Sequence, residues 1–417
     1  MHRNLIFVVV AILFSSLTAL SQITAIKAGK VVDPASGTIA LNQVILIEGR
    51  DIKEIGPNAK IPADATVIDL SKQTLMPGMI DAHTHLCMNM QHKRDANNYY
   101  VTTLVDSNAS RAIQGTVNAK TMLESGFTTV RDVGNEGNYA CSEVRNAIDQ
   151  GMIPGPLLIN AGRIIAPYGG QFQLQADRKN LGEPEYFFAD TRDEMLKAIR
   201  ENIHYGAKVI KIVVDDQTYI YSVDDIKYMV AEAHAAGLKL AAHCWTKQGA
   251  RNAAEGGVDS IEHAIAIDDA TLDIAKQKGI PIVPVPFTEV DATLGGEPGS
   301  NKWANDNWFI DPVRRAYKKG VTLVWGPDII FTTQNNTRGS LSIGTVDNWV
   351  EAGIPAATIL QTLTTNPAKL LGVADTRGAL RAGMRADIIA VNDNPLEKIT
   401  TLKNVVFVMR SGKVYKK

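Results

Sequence analysis

The chain is poor in cysteine: Cys87, Cys141 and Cys244 are the only three in 417 residues. An odd, widely spaced set builds no disulfide framework, so all three are read as packed thiols. It is also short of net charge. The 43 Lys and Arg against 44 Asp and Glu leave −1, so no basic field draws the chain to nucleic acid or anionic lipid. No internal repeat and no low-complexity linker interrupts it. The apolar run Leu5 to Phe14 is too short to span a bilayer as a helix. What is present is an ordinary globular composition, 45% hydrophobic and 21% charged. The length suits one large barrel-type domain plus a smaller one.

The N-terminus has the layout of a signal peptide. Met1-His2-Arg3-Asn4 is positive, Leu5 to Phe14 is apolar, and Ser15 to Ser21 is small and polar. Ala19-Leu20-Ser21 fits a cleavage site before Gln22, giving a signal peptide over 1–21. The mature protein is expected to be exported, periplasmic or secreted, with no membrane attachment after cleavage.

From Ile23 to Leu70 the pattern is β-rich, with a hairpin turn at Glu48-Gly49-Arg50-Asp51. From Met79 onward strands alternate with helices. Strands are predicted to end near His85, Val133, Ile165, Val214, His243, His263, Phe287 and Asp328. Helices are predicted over Ser107–Glu124, Thr191–Tyr205, Ser222–Ala236, Thr246–Ala254, Asp268–Lys278 and Asp311–Lys319. Eight alternating units are the count of a (β/α)8 TIM barrel, with a doubly wound open sheet as the competing α/β fold. Long connections over Pro167–Asp190 and Thr288–Asp306, and tryptophans Trp245, Trp303, Trp308 and Trp325, fall toward the strand C-termini, where barrel active sites form. A further helix covers Ala356–Leu371, and β character returns after Ala386. The expected domains are a composite β-sandwich of 22–76 with 373–417, and a barrel of 77–372.

Polar residues recur at the strand ends. Asp81-Ala82-His83-Thr84-His85 places two imidazoles at i and i+2, on one face of a strand. His243 and His263 end two later strands, and Asp328 ends the last. Lys211 stands alone in the apolar strand Val209–Val214. A buried lysine needs a reason. It is either carboxylated by CO2, giving an anionic two-oxygen ligand, or it reaches Asp215 or Asp216 from the strand end.

These segments resemble the amidohydrolase superfamily. They are Pro77-Gly78-Met79-Ile80-Asp81-Ala82-His83-Thr84-His85, Thr128-Thr129-Val130-Arg131-Asp132, Lys208-Val209-Ile210-Lys211-Ile212, His243, Gly257-Val258-Asp259-Ser260-Ile261-Glu262-His263 and Pro327-Asp328. Thr365-Asn366-Pro367-Ala368-Lys369-Leu370-Leu371-Gly372 and Gly383-Met384-Arg385-Ala386-Asp387 match as well. The branch is that of Xaa-Pro dipeptidase-like and imidazolonepropionase-like hydrolases, which includes ochratoxin-hydrolysing amidases. The resemblance implies two divalent metal ions, usually zinc. His83, His85 and Asp328 would hold one, His243 and His263 the other, and N6-carboxylated Lys211 would bridge them. Three segments depart from the family pattern: Gly169-Gly170-Gln171 for Gly-Gly-His, Asp215-Asp216-Gln217 for a Ser/Gly-rich run, and Gly326-Pro327-Asp328 for Gly-Thr-Asp.

The expected reaction is hydrolysis of an amide bond in a dipeptide or N-acyl amino acid, with Asp328 as general acid–base. Tyr219 and Tyr221 are candidates to meet a substrate carboxylate, or are ordinary loop aromatics. Arg131 is a candidate for the same role, or for pairing with a neighbouring carboxylate. A mononuclear cyclic-amide hydrolase or deaminase of the imidazolonepropionase type is the alternative, then a lactone or phosphotriester hydrolase. The partners expected are a small-molecule or short-peptide substrate and further copies of the chain in a homo-oligomer.

Overall fold

The computed structural model describes residues 22–95, 101–172, 174–286 and 308–417. The stretch 1–21 predicted as a signal peptide, the predicted strand end at Phe287, Trp303 and the predicted connection 288–306 lie outside the described residues. No described helix is long and apolar enough to cross a membrane.

Four strands precede the helices: β1 (Ile23–Asp33), β2 (Thr38–Glu48), β3 (Asp51–Gly56) and β4 (Thr66–Pro77). Nine more carry the middle of the chain. They are β5 (Met79–Thr84), β6 (Phe127–Asp132), β7 (Leu157–Asn160), β8 (Ile164–Ala166) and β9 (Tyr186–Phe188), then β10 (Val209–Val213), β11 (Lys239–Cys244), β12 (Ser260–His263) and β13 (Ile282–Val283). Three close it: β14 (Ile388–Val391), β15 (Phe407–Arg410) and β16 (Lys413–Lys416).

Both ends of the chain build one seven-stranded sheet, in the order β16-β15-β14-β4-β1-β2-β3. β14 runs antiparallel to β4, with Ile388 opposite Pro77. Ile26, Ile45, Leu75, Ile388 and Phe407 bury one face, and Ala25, Leu46 and Ala59 the other. The ladder turns back on itself. The Ile52 amide donates to the Met384 carbonyl at 2.8 Å and the Gly383 amide to the Ile52 carbonyl at 2.8 Å, joining β3 to the approach to β14.

The middle strands pair in parallel, in two rows: β13-β12-β11-β10-β8-β9 and β5-β6-β7. β5, β6, β10 and β12 are buried along their whole length, as parallel strands covered on both faces must be. Backbone bonds join the rows, on one side through the segment 322–328. The Lys208 amide donates to the Asn160 carbonyl at 2.8 Å, and the Ala82 amide to the Trp325 carbonyl at 2.9 Å. The last predicted strand, Leu323 to Asp328, forms only one bridge, Leu323 with Ile282. Pro327 has no amide to donate. A Cβ on Gly326 would sit 2.6 Å from His83 Cβ, so this segment lies directly against β5.

Capping explains the helices. Ser107, Thr191, Ser222, Thr246 and Asp268 each accept an amide in the first turn, and the Thr191–Glu194 capping box is complete. The single helix expected over Ala356–Leu371 is two, Ala356–Leu363 and Thr365–Leu370. Pro367 lacks the amide that would continue the first, and Thr364 leaves helical geometry at φ −135°.

The cysteine reading is corrected. Cys87 and Cys141 form a disulfide across a separation of 54 residues, and only Cys244 is free and buried. The bond ties the segment just after His85 to the first turn of the helix Ala140–Asp149. For a closed loop of that size, chain entropy assigns about 4 kcal/mol of stabilisation. Urea titration with and without reductant should show a loss of that order; coincident curves would contradict it.

Candidate metal centre

β5 delivers His83, and the next turn delivers His85. Each ring is fixed through Nδ1. His83 Nδ1 donates to Glu262 Oε2 at 2.7 Å, and His85 Nδ1 to the Gly134 carbonyl at 2.7 Å. A carbonyl only accepts, so His85 Nδ1 carries a proton, and in the neutral rings both Nε2 atoms are lone-pair donors. They point toward Asp328. Its Oδ1 lies 3.1 Å from His85 Nε2 and 3.7 Å from His83 Nε2. Ligand atoms of these three residues all lie within 4.8 Å of one another.

β11 and β12 supply two more imidazoles. The ring of His263 is 4.5 Å from that of His243 and 4.9 Å from that of His83. Regular strand alternation does not produce this. His243 pairs with Glu262, and Cys244 with His263, so Glu262 is the residue that shares the His243 face. His263 breaks the alternation with φ +62°, and Ala264 follows at +55°. Asp328 also has φ +55°. Left-handed backbone at non-glycine residues is costly and gathers at functional sites.

Lys211 is buried at the centre of β10, level with Ala241 and two residues below the row of His243. Burial lowers its ammonium to about 8, against the raising charges of Glu262 and Asp328. Burial and the Lys211 charge bring His83 down to about 4. Burial, then the charge of His243, holds His263 well below the ordinary histidine value. Burial is the largest influence on Asp328 and works to raise it, but the neighbouring His83, His85 and Lys211 together outweigh it and hold the carboxyl at about 2. Neutral imidazoles and an ionised carboxylate are the forms that bind metal.

His83 Nε2, His243 Nε2 and Asp328 Oδ1 are buried and have no hydrogen-bond partner. Buried polar atoms are seldom left so. Atoms about 3 Å apart without hydrogen-bond geometry are what two ligands of one ion look like, since bonds of about 2.0–2.1 Å set a tetrahedral edge near 3.3 Å. The residues fit a divalent cation.

The three residues predicted as substrate contacts each have partners within the protein. Arg131 is fully buried beneath the site. It donates to Glu262 Oε1 at 2.7 Å, to Ser260 Oγ at 3.0 Å and to the Ala82 carbonyl. It therefore pairs with a carboxylate and positions His83 through Glu262. Tyr221 is buried, and its hydroxyl donates to the Ala189 carbonyl at 2.8 Å, so it packs β10 against the preceding segment. Tyr219 is half exposed, with its hydroxyl on the Tyr168 carbonyl at 2.7 Å. Of the tryptophans, Trp245 lies beside His243 and His263, its ring 6.2 and 6.0 Å from theirs. Trp325 instead stacks on Trp349 in the core.

Two positioning residues escaped the sequence reading. Glu262 links Arg131 to His83, and a charged residue in the buried strand Ser260–His263 was the same signal that marked Lys211. Arg338, fully buried, donates to the carbonyls of His85, Met88 and Ile329, so it staples the His85 segment to the residue after Asp328. It opens the helix Arg338–Gly344, which Thr337 caps.

Residues 74–415 match the amidohydrolase family. The chain belongs to that family. It is a hydrolase acting on carbon–nitrogen bonds, with the family's α/β fold. It is 29% identical over 435 residues to the ochratoxinase of Aspergillus niger, covering 95% of this chain and 87% of that one. It is similar to the solved structure of a Xaa-Pro dipeptidase with methionine bound in the active site. That match has a TM-score of 0.83 and 29% identity, covering 95% of this chain and 100% of that one. The imidazolonepropionase of Kosmotoga olearia is 22% identical over 435 residues, covering 96% of this chain and 98% of that one. Amidohydrolases are metal-dependent, and the cluster of His83, His85 and Asp328 is a candidate for that metal here.

Proposed function

We propose that this amidohydrolase cleaves the amide bond of a dipeptide or an N-acyl amino acid at a centre for two divalent cations. The observation that carries this reading is the set of unpartnered buried atoms His83 Nε2, His243 Nε2 and Asp328 Oδ1. The likeness to a Xaa-Pro dipeptidase over the whole length of that chain supports the substrate class.

In this reading His83, His85 and Asp328 hold one ion, and His243 and His263 the other. Lys211 joins them as a carbamate: its neutral amine attacks CO2, a C–N bond forms and one proton leaves. Burial supports that step, because a lowered ammonium pKa supplies neutral amine near physiological pH. When bound, the ions, zinc in our reading, polarise the scissile carbonyl and lower the pKa of a water. The chain's own part is proton handling. Asp328, held ionised, accepts a proton from the attacking water and delivers it to the leaving nitrogen. Arg131 and Glu262 keep His83 in place throughout.

We read the parallel strands as a (β/α)8 barrel whose eighth position is the segment 323–328. The strands of 22–76 and 373–417 form its companion domain. Export with cleavage before Gln22 and assembly into a homo-oligomer complete the proposal. N-terminal sequencing of the purified mature protein tests the first, and a start at Met1 overturns it.

Zinc-loaded protein offered a panel of dipeptides and N-acyl amino acids is expected to release free amino acids. Turnover of esters or lactones with every amide left intact would refute the assignment. Metal analysis of the active protein should give close to two ions per chain; one ion would refute the two-cation centre.

A further inference from the structure

Asp215 and Asp216 follow β10. Both approach His243, and ligand atoms of the three residues lie within 4.8 Å of one another. Asp215 Oδ1 is 4.0 Å from His243 Nε2, and Asp216 Oδ2 is 2.9 Å from it.

The two carboxylates do different work. Asp215 is fully buried and already saturated. Its oxygens accept the amides of Trp245 and Thr246 and the Thr246 hydroxyl, at 2.7 to 3.1 Å. It anchors the start of the helix Lys247–Gly256, and a Cβ on Gly249 would collide with it. Asp216 is held differently. Its backbone sits at φ +90°, a region favoured by glycine and awkward for an L side chain. Its Oδ2 accepts one hydrogen bond, from Gln171 Nε2 at 2.8 Å, and Gln171 is fixed in turn by the Tyr186 hydroxyl at 2.7 Å. One lone pair of Oδ2 is thus committed to Gln171. The other faces His243.

His243 supplies the independent sign of a ligand. It is 4% exposed, and its Nε2 has no hydrogen-bond partner, although Asp216 Oδ2 is 2.9 Å away. The pair has the same form as His85 Nε2 with Asp328 Oδ1: two donor atoms about 3 Å apart that do not bond each other. We infer that Asp216 is a ligand of the second cation, beside His243, with Gln171 as the residue that orients its carboxylate. This rests on the proposed two-cation centre. It adds an anionic oxygen to a position that otherwise has two imidazoles and the Lys211 carbamate, and it ties two departures from the family pattern, Gln171 and Asp216, into one unit.

The strained backbone makes a clean test. Asp216→Asn keeps a residue type that tolerates left-handed geometry but removes the charge. Asp216→Gly removes the carboxylate and relieves the strain, so it should melt at or above the wild-type temperature. Metal-stripped protein is titrated with Co2+ against a competing chelator, reading both affinity and the visible absorption of bound Co2+. Wild type should bind two ions. Both variants should lose about 10-fold or more in affinity for the weaker ion, with an altered absorption band and the tighter ion unaffected. Gln171→Ala should show a smaller loss at the same ion, since partners of ligands matter within about 10–100-fold. Two ions bound by both variants with wild-type affinities and spectra would overturn the inference. A KM change for dipeptides with a free amino terminus, at unchanged metal affinity, would also overturn it by making Asp216 a substrate contact. Uptake of a single ion by wild type would instead refute the two-cation centre itself.

Discussion

Asp328→Asn is expected to fold, to keep its substrate affinity within a few-fold, and to lose about 10^2–10^4 in kcat, the range of a general acid–base residue. Asparagine preserves the shape of the side chain and its left-handed backbone, which Asn accepts readily. It cannot take a proton from water. Metal content must be measured on the same sample, because Asp328 also faces His83 and His85. A variant with its full complement of ions and wild-type kcat would remove Asp328 from the proton pathway. A variant short of metal whose activity returns on saturation would assign the residue to holding the ion alone.

Arg131→Met should have the largest effect on stability. It strips the cation from Glu262, which has no exposed surface. Burial works to raise the Glu262 carboxyl, and the Arg131 charge, the largest opposing influence, holds it well below the usual carboxylate range. Breaking a buried pair on one side costs about 3–5 kcal/mol, whereas replacing both partners by apolar groups costs far less. The double variant Arg131→Met with Glu262→Leu should therefore recover most of the stability lost by Arg131→Met, as read by urea midpoint. It should not recover activity, since His83 Nδ1 then has no acceptor. Equal stability of the single and double variants would show that the Arg131–Glu262 pair is not the source of the effect.

Local periodicity made much of this site legible. Alternation predicted that His83 and His85 share a face, and an isolated lysine among apolar residues marked Lys211. Strand-end positions picked out His243, His263 and Asp328. What the sequence did not carry was whatever depends on one turn of backbone or on a distant partner. His263 reaches His243 only because its φ is +62°. Arg131 finds Glu262 across 131 residues of chain, and Cys87 finds Cys141 across 54. Tyr221 has the composition of a loop residue yet is buried, because its hydroxyl finds a carbonyl on Ala189. The eighth strand read from Leu323–Asp328 is a single bridge with a few backbone bonds to β13 and β5, since Pro327 has no amide to donate.

The sheet shared by both termini sets an order of events during synthesis. β4 leads directly into the strand that bears His83, yet its outer edge is covered only by β14. At ribosomal rates of about 5–20 residues per second, the roughly 300 residues between them take some tens of seconds to emerge. For that interval Leu75 and Met76, fully covered in the finished protein, stand on an open edge of the kind that recruits other strands. A nascent chain stalled before Ile388 is therefore the form most exposed to aggregation, and a holdase that covers β4 should raise the yield more than one that acts on the completed polypeptide.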